Sequence, residues 1–557
     1  MKAALIGINS KYIHSCLAIR YLKMCCPDMI MREYTINEQV ETVTADIYKL
    51  HADVVLFACY IWNIRFAAEV SERLKKVSDC KIIFGGPEVT YNAAETMKKY
   101  PFIDAVMVGE GEETIAELEK NNMSPVGIDG MVYRDNDDIV ENPPRELIKD
   151  FNKVPFPYTD EDIEALSGKL IYYESSRGCP FRCSYCLSST IHSVRFLDLE
   201  RVKKELMFFV KHKVKIVKFV DRTFNADKKR TYELLRFLIE NADETTFHFE
   251  IAADLITDEM LDILKDAPKA LFQFEIGVQS TNPNTLRAID RYADNEKIKQ
   301  AVVKVLKLGT VHVHLDLIAG LPYENLESFK KSFDEIFALN AHVLQLGFLK
   351  LLSGTKIRTQ TDEFHYQYTS RPPYEILSND FISYDDILLL KKVENILERY
   401  SNSGVFEKSI KYLTDNSKSA FGRFFDIAEF FENRGYDKVA HSQKGLYNVL
   451  AEYARDRNID DIFFDYLKFD YFRHIKGAST PDWSLSEYDK SLLAYRFEFL
   501  NNEDNVRKYF SEYIGENPKV LIKKLTFERF EYDVSESGKK ENNIIIFDYS
   551  QDKFVKI

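Results

Sequence analysis

No run of 18 or more apolar residues occurs in this 557-residue chain, so a membrane-spanning helix is not expected. The N-terminal MKAALIGINSKYIH turns polar after a few residues and lacks the apolar core of a signal peptide. Cysteine is sparse. Eight in a chain of this length are too few for a disulfide scaffold, and a reducing cytoplasm is the expected compartment. Basic residues are outnumbered, and the formal net charge is -13. The chain as a whole therefore does not resemble a nucleic-acid binder, although a local basic groove is left open. Neither an internal repeat nor a low-complexity tract is present. What is there is an ordinary apolar share of 45%, enough for several buried cores. At roughly 150 residues per domain, three or four domains are expected.

Residues 1 to 125 alternate short apolar runs with helical spacing. The runs are KAALIG, MIMREYT, DVVLFACY, KIIFGG and DAVMVG, with helical patterns such as Ile64–Val77 and Asn92–Tyr100 between them. That order predicts a doubly wound, Rossmann-like parallel sheet with its ligand at the carboxyl ends of the strands. Those ends are Gly7–Ser10, Cys59–Trp62, Gly85–Glu88 and Gly109–Gly111. Residues 126–168 carry Pro143, Pro144, Pro155 and Pro157 in a charged stretch, which predicts a linker.

From 169 to 364 a second series begins with KLIYYES, VKIVKFV, TFHFEIA, LFQFEIGV, VHVHLDLI and VLQLGFLK, again separated by helical patterns. Six units predict a partial (β/α)6 TIM-type barrel with its site at the strand C-termini. Residues 365–557 turn mainly helical and rich in Phe and Tyr, read as core packing, and end in an alternating hairpin-like stretch.

SSRGCPFRCSYC follows the first strand of that second series and places Cys179, Cys183 and Cys186 in a C-x3-C-x2-C array. Three thiolates on one loop can grip an inorganic centre and leave it one ligand short. A structural zinc site is the alternative, because zinc takes four closed ligands and His192 is near enough in sequence to be the fourth. An iron–sulfur cluster on three cysteines instead keeps one iron open.

With Tyr185 before the last cysteine, the array resembles the radical S-adenosylmethionine (SAM) superfamily signature, C-x3-C-x-aromatic-C. The resemblance implies a [4Fe–4S] cluster whose open iron chelates SAM, reductive formation of a 5′-deoxyadenosyl radical, and Tyr185 beside the adenine. FHFEIAAD, GVQSTNPNTLRAIDRY and DLIAGLP resemble the matching segments of the anaerobic coproporphyrinogen oxidase branch. By that resemblance Glu250, Gln279, Arg291 and Asp316 would contact the methionine or ribose of SAM, and Asp221 in KFVDRTFN would meet its amino group. An electron donor such as flavodoxin or ferredoxin is also implied.

Gly85-Gly86 and VGEGEETI resemble a cobalamin-binding Rossmann-like domain, and its fusion to the barrel resembles the cobalamin-dependent class of the superfamily. Asn9, Ser10, Cys59, Tyr60, Trp62, Gly85, Gly86, Glu88, Gly109, Glu110 and Gly111 then become candidate cobalamin contacts. The D-x-H-x-x-G motif of domains that donate an axial histidine is missing, since the region reads GINSKYIHS. His14 is therefore expected at a helix start or in a pocket wall. Trp62 is expected either against the corrin or packed between sheet and helix.

Methylthiotransferases in the same superfamily hold a second cluster on three N-terminal cysteines. Here Cys80 precedes its strand and Cys16 falls in a helical pattern, so with Cys59 they are not expected to converge. The function implied by resemblance is methylation of an unactivated carbon. Ring formation, rearrangement or methylthiolation are the enzymatic alternatives, and a cobalamin-binding sensor with a structural zinc is the non-catalytic one.

Overall fold

The computed structural model describes residues 1–191, 193–485 and 490–557. The chain divides into two compact units, one of residues 1–341 and 346–387, the other of 342–345 and 388–557.

The first unit begins with a seven-stranded sheet. Its strands are β1 (Ala3–Asn9), β2 (Ile30–Thr35), β3 (Val54–Ala58), β4 (Lys81–Gly85), β5 (Ala105–Met107), β6 (Met131–Asp135) and β7 (Asp138–Glu141), in the order β2-β1-β3-β4-β5-β6-β7. β1 to β5 are parallel. Every residue of β1 is buried, as expected of a strand covered on both faces. Its alternate residues feed opposite cores. Ala4, Ile6 and Ile8 join one with Phe57 and Phe84. Ala3 and Leu5 join the other with Leu56 and Met107. The chain winds outward from β1 in both directions, so the order reverses between β1 and β3. That reversal opens a crevice at the strand C-termini.

Residues 131–141, expected within a linker, instead form β6, antiparallel to β5, and β7, antiparallel to β6, which extend this sheet. Asn136, at φ 51°, turns the hairpin. Met131 and Val132 are buried, an apolar signal outweighed in the sequence by the charges and prolines around it.

The second sheet runs β15-β14-β13-β12-β11-β8. Here β8 is Ile171–Tyr173, β11 Ile216–Phe219, β12 Thr246–Glu250, β13 Phe272–Gln279, β14 Val311–Ala319 and β15 Val343–Phe348. Two short strands, β9 (Ser176–Arg177) and β10 (Arg195–Phe196), pair antiparallel across the cysteine loop. The sheet is the expected partial barrel. β14 shows its alternation plainly: Val311, Val313, Leu315 and Leu317 are buried, while His312, His314 and Asp316 between them are half-buried. The first set packs under the helices and the second lines the lumen.

In the second unit, helices such as Gln443–Asp456 and Ile462–His474 bury Tyr447, Tyr453, Tyr471 and Phe472, so the aromatic richness is core packing. Its three-stranded antiparallel sheet spans Leu525–Tyr532, Lys540–Asp548 and Lys553–Lys556. No helix among the described residues is long and apolar enough to cross a membrane.

Candidate functional site

The cysteine loop leaves β8 and is fastened from several sides. Gly178 starts it at φ 105°, where a Cβ would lie 2.0 Å from the Ser193 carbonyl oxygen, so only glycine fits. The Ser184 N–H donates to Ile289 O and the Ser184 carbonyl accepts from Ile357 N–H, both at 2.9 Å. Two thiols have polar neighbours: Arg291 Nη1 is 3.7 Å from Cys183 Sγ and donates to it, while Thr223 Oγ1, 3.6 Å from Cys179 Sγ, donates to Arg222 O. A guanidinium donor of this kind favours thiolate sulfur and tunes a bound cluster. Burial pushes the Cys179 thiol up, so binding a cation must overcome that bias. Among the described residues no three His, Cys, Asp or Glu side chains converge on a single metal ion. His192, the fourth ligand of the zinc alternative, lies outside the described residues.

Below the loop, the lumen carries polar groups from neighbouring strands. Glu275 accepts from Lys218 Nζ at 2.9 Å and pairs with His248 Nε2 at 2.8 Å. The His248 bond, with Lys218 assisting against burial, holds its carboxyl at about 2. Asp316 is the opposite case. Burial, with Glu275 and Glu250 close by, raises it to about 8. Burial also raises Glu250. Gln279 sits at φ 72°. Gln279 Oε1, Asp316 Oδ1 and Arg291 Nε are buried with no partner. Buried polar atoms are rarely left so, and their gathering at the barrel mouth marks a place built for a polar ligand.

Above the loop, a cavity of about 720 Å³ lies between the two sheets of the first unit. From the N-terminal sheet come Asn9, Ser10, Tyr60, Trp62, Gly85, Gly86, Gly109, Glu110 and Gly111. From the barrel come Tyr172, Glu174, Arg177, Leu187, Val220 and Arg222. Trp62 lies parallel to Tyr60 at 4.4 Å, donates to Ile8 O, and is 44% exposed. It is a wall of this cavity rather than packing between sheet and helix.

Comparison with known proteins identifies both halves. Residues 3–119 match the B12 binding domain family and residues 173–336 the radical SAM superfamily. The chain joins a B12 binding domain to a radical SAM domain. Residues 362–547 match a family of proteins of unknown function, DUF4080. The chain is 27% identical over 325 residues to the cobalamin-dependent radical SAM methyltransferase TokK of Streptomyces tokunonensis, which covers 53% of this chain and 47% of that protein. It thus spans about half the length of that relative.

Two solved structures share the fold. TsrM of Kitasatospora setae, a radical SAM methyltransferase determined with cobalamin and a [4Fe–4S] cluster, gives a TM-score of 0.59 at 14% identity. That match covers 79% of this chain and all of TsrM. The cobalamin-dependent enzyme OxsB, with aqua-cobalamin and SAM, gives 0.58 at 13% identity, covering 92% of this chain and 84% of OxsB.

In the B12 binding domain, two of the four glycines at the strand ends, Gly86 and Gly111, serve close packing, and Gly85 leaves room for an ordinary contact. A Cβ on Gly86 would meet Cys59 O at 2.7 Å, on Gly111 Met107 Sδ at 3.0 Å, and on Gly85 Met107 at 3.6 Å. Gly109 has nothing within 4 Å, so only there would a side chain project into open space. The domain therefore fits a bulky ligand at Gly109, beside Tyr60 and Trp62.

Two candidates do not face the cavity. Cys59 is fully buried, with its Sγ against Phe57 O at 3.5 Å. Glu88 accepts from Tyr374 Oη at 2.5 Å. Glu110 reaches the cavity wall, but its carboxylate is held by Arg195, Arg177 and Ile148 N–H. Cys16 precedes the helix Leu17–Cys25 rather than falling inside it, because Glu33 accepts its N–H and Gly7 brings β1 against it. Cys80, bonded by Ser78 Oγ, precedes β4 while Cys59 follows β3, so Cys80 lies at the opposite strand end from Cys59 and Cys16, which both neighbour Tyr60, and the three thiols do not converge. His14 stands in the cavity wall, 2.6 Å from Tyr172 Oη.

In the radical SAM domain, Asp221 is not open to a ligand. Its oxygens accept from Ser175 N–H, Ser175 Oγ and Ser176 Oγ at 2.6 to 2.7 Å. Its position at the end of β11 makes it a brace for the segment entering the cysteine loop. Tyr185 is near Cys183 and Arg291, and burial pushes its phenol up. Arg291 donates to Gly277 O as well as to Cys183. Arg177, Glu174, Tyr172 and Arg222 were not singled out from sequence. Their signal was position, since all stand at or just beyond the ends of β8 and β11.

Proposed function

We infer that the chain is a cobalamin- and SAM-dependent radical enzyme that methylates an unactivated carbon. The observation that carries this is the single cavity walled on one side by the B12-domain strand ends and on the other by the segment that runs into Cys179, Cys183 and Cys186. A substrate in it would lie between the strand ends of the B12 domain and the segments flanking the cysteine loop. Bound here, the cluster would supply the electron that cleaves SAM, and cobalamin the methyl group to be transferred.

The chain's own residues place and insulate these groups. Cys179, Cys183 and Cys186 would hold the cluster, with Arg291 donating to Cys183 Sγ. Glu250, Gln279 and Asp316 offer acceptors, and a protonated carboxyl, to the ribose and ammonium of SAM. Tyr60, Trp62 and Gly109 form the bed for the corrin. Apolar Leu187, Ile191 and Val220 keep water from the space between. Methylation is preferred to cyclisation on the relatives with methyltransferase names, although a magnesium-protoporphyrin ester cyclase is 27% identical over 232 residues.

The test is anaerobic reconstitution. Wild type should carry close to four irons and four sulfides per chain, bind a corrinoid, and form 5′-deoxyadenosine on reduction with SAM. Cys179→Ala, Cys183→Ala and Cys186→Ala should each lose the iron while keeping the corrinoid. A colourless protein with one zinc would overturn the reading.

A further inference from the structure

The charged groups on the cavity wall are nearly all matched. Glu110, Glu112 and Glu174 close on Arg177 at 3.3, 2.7 and 2.8 Å, and Arg195 holds Glu110 from the far side at 2.6 Å. Arg177 also lies over the Phe151 ring at 4.8 Å. Its donors are spent.

Arg222 differs. It stands three residues beyond the end of β11 and lines the same cavity. Its guanidinium lies within electrostatic reach of Glu250, Cys186, Glu174 and Cys179, and 52% of its side-chain surface is uncovered. Arg222 thus presents bare surface to the cavity that it lines. Its one partner among the described residues is Glu250, and Nη1 to Oε1 is 3.5 Å, longer than a good charge-assisted bond. Most of the five donors of the fork are therefore free. Leu187, Ile191 and Val220, which line the same cavity, offer no acceptor side chain, and Glu174 on that wall is already bonded to Arg177.

A guanidinium held in a largely apolar chamber with its fork open is complementary to a planar or tetrahedral oxyanion. Two sources could bring one: the methionine carboxylate of SAM, or a substrate. Arg222 touches one residue proposed for SAM, Glu250, but Glu250, Gln279, Arg291 and Asp316 are absent from the wall of this cavity, whereas Arg222 is part of it. We propose that Arg222 anchors a carboxylate or phosphate of the substrate, so that the molecule modified here is an anion gripped at the end of β11 with its apolar part reaching toward the N-terminal sheet. This rests on reading the cavity as the reaction chamber.

The test uses the full chain with Trp483→Phe, which leaves Trp62 in the cavity wall as the single tryptophan. Inorganic phosphate and acetate are the probes, titrated against Trp62 fluorescence in the cofactor-free protein and in the cluster-reconstituted protein. A saturable response is expected, weakened by roughly tenfold or more in Arg222→Gln and partly restored in Arg222→Lys, which keeps the charge without the fork. SAM affinity, measured by equilibrium binding to the reconstituted protein, should shift by less than about twofold in Arg222→Gln. No saturable response, or an undiminished one in Arg222→Gln, overturns the proposal. So does a comparable loss of SAM affinity with phosphate competing against SAM, which would assign Arg222 to the SAM carboxylate. The cofactor-free titration stands whether or not a cluster or corrinoid binds, so failure of the cofactor reading is seen separately, in the iron and corrinoid content.

Discussion

Asp316 shows how much of this site is decided by single side chains. One of its oxygens is buried without a donor, and burial beside Glu275 and Glu250 lifts its carboxyl to about 8. In the unfolded chain an aspartate gives up its proton near pH 4. Between those values the native state holds the extra proton. Asp316's contribution to stability is therefore intact below about pH 4 and is lost as the pH climbs through 8. Asparagine fills the same space and cannot ionise. Going from pH 5 to pH 9, cofactor-free Asp316→Asn should gain on wild type by roughly 1 to 3 kcal/mol, after discounting for water reaching the lumen. Thermal melts at the two pH values check this, and a constant difference between the proteins would contradict it. The same neutral carboxyl can donate a hydrogen bond to SAM at pH 7, which an ionised aspartate cannot.

Elements position these side chains, and one of them is a strap. After β15, residues 349–378 run back across the mouth of the barrel. Ile357 N–H donates into the cysteine loop at Ser184 O, and Tyr374 Oη reaches Glu88 beside Gly86 in the other sheet. Between these two ties, Gly354 at φ 89° lies flat on the Tyr91 ring, where a Cβ would meet Cγ at 2.3 Å. Tyr91 Oη in turn meets Thr190 Oγ1 at 2.8 Å, just past the cysteines. Gly354→Ala should cost about 1 to 3 kcal/mol through clash and backbone strain together. Adding Tyr91→Ala should recover only the clash part. A denaturation double-mutant cycle separates the two, and additive costs would show that ring and strap do not touch.

None of this strap was legible in sequence. LLSGTKIRTQ has no strong period, and the meaning of Gly354 depends on a ring 263 positions earlier in the chain. The strands and the cysteine loop were legible because each is local: alternation in VHVHLDLI, thiol spacing in SSRGCPFRCSYC. The same locality misled at Asp221, whose strand-end place suggested a ligand contact while Ser175 and Ser176 had already claimed its oxygens. It misled again at residues 131–141, where charge and proline hid a hairpin.

At the scale of the whole first unit, the question is what joins a parallel sheet to a barrel across a cavity that must stay open. Apolar packing cannot occupy the space where ligands sit, and buried ion pairs around its rim do the joining. Arg20 spans Glu33 of the N-terminal sheet and Asp162 before the barrel. Arg177 and Arg195, on the two short strands that bracket the cysteine loop, meet at Glu110 beyond β5. Glu110 is 9% exposed. Burial pushes its carboxyl up, but the Arg195 bond and the nearby Arg177 outweigh that and leave it below the usual range.

A lowered carboxyl contributes stability above its unfolded value and loses it as the pH falls through the native one. The joint should therefore weaken in acid, below about pH 4, and not in base. Glu110→Gln keeps the shape and removes the charge, leaving buried Arg195 without its carboxylate partner while Arg177 keeps Glu112 and Glu174. That loss should cost about 3 to 5 kcal/mol at pH 7. Because Ile148 N–H also bonds Glu110 at 2.8 Å, the segment from 143 to 154 should become the first site of limited proteolysis. Wild type should show the same cleavage only once acid has protonated Glu110. A variant as stable and as protease-resistant as wild type at pH 7 would mean that something other than this network holds the two sheets apart at the width the cavity needs.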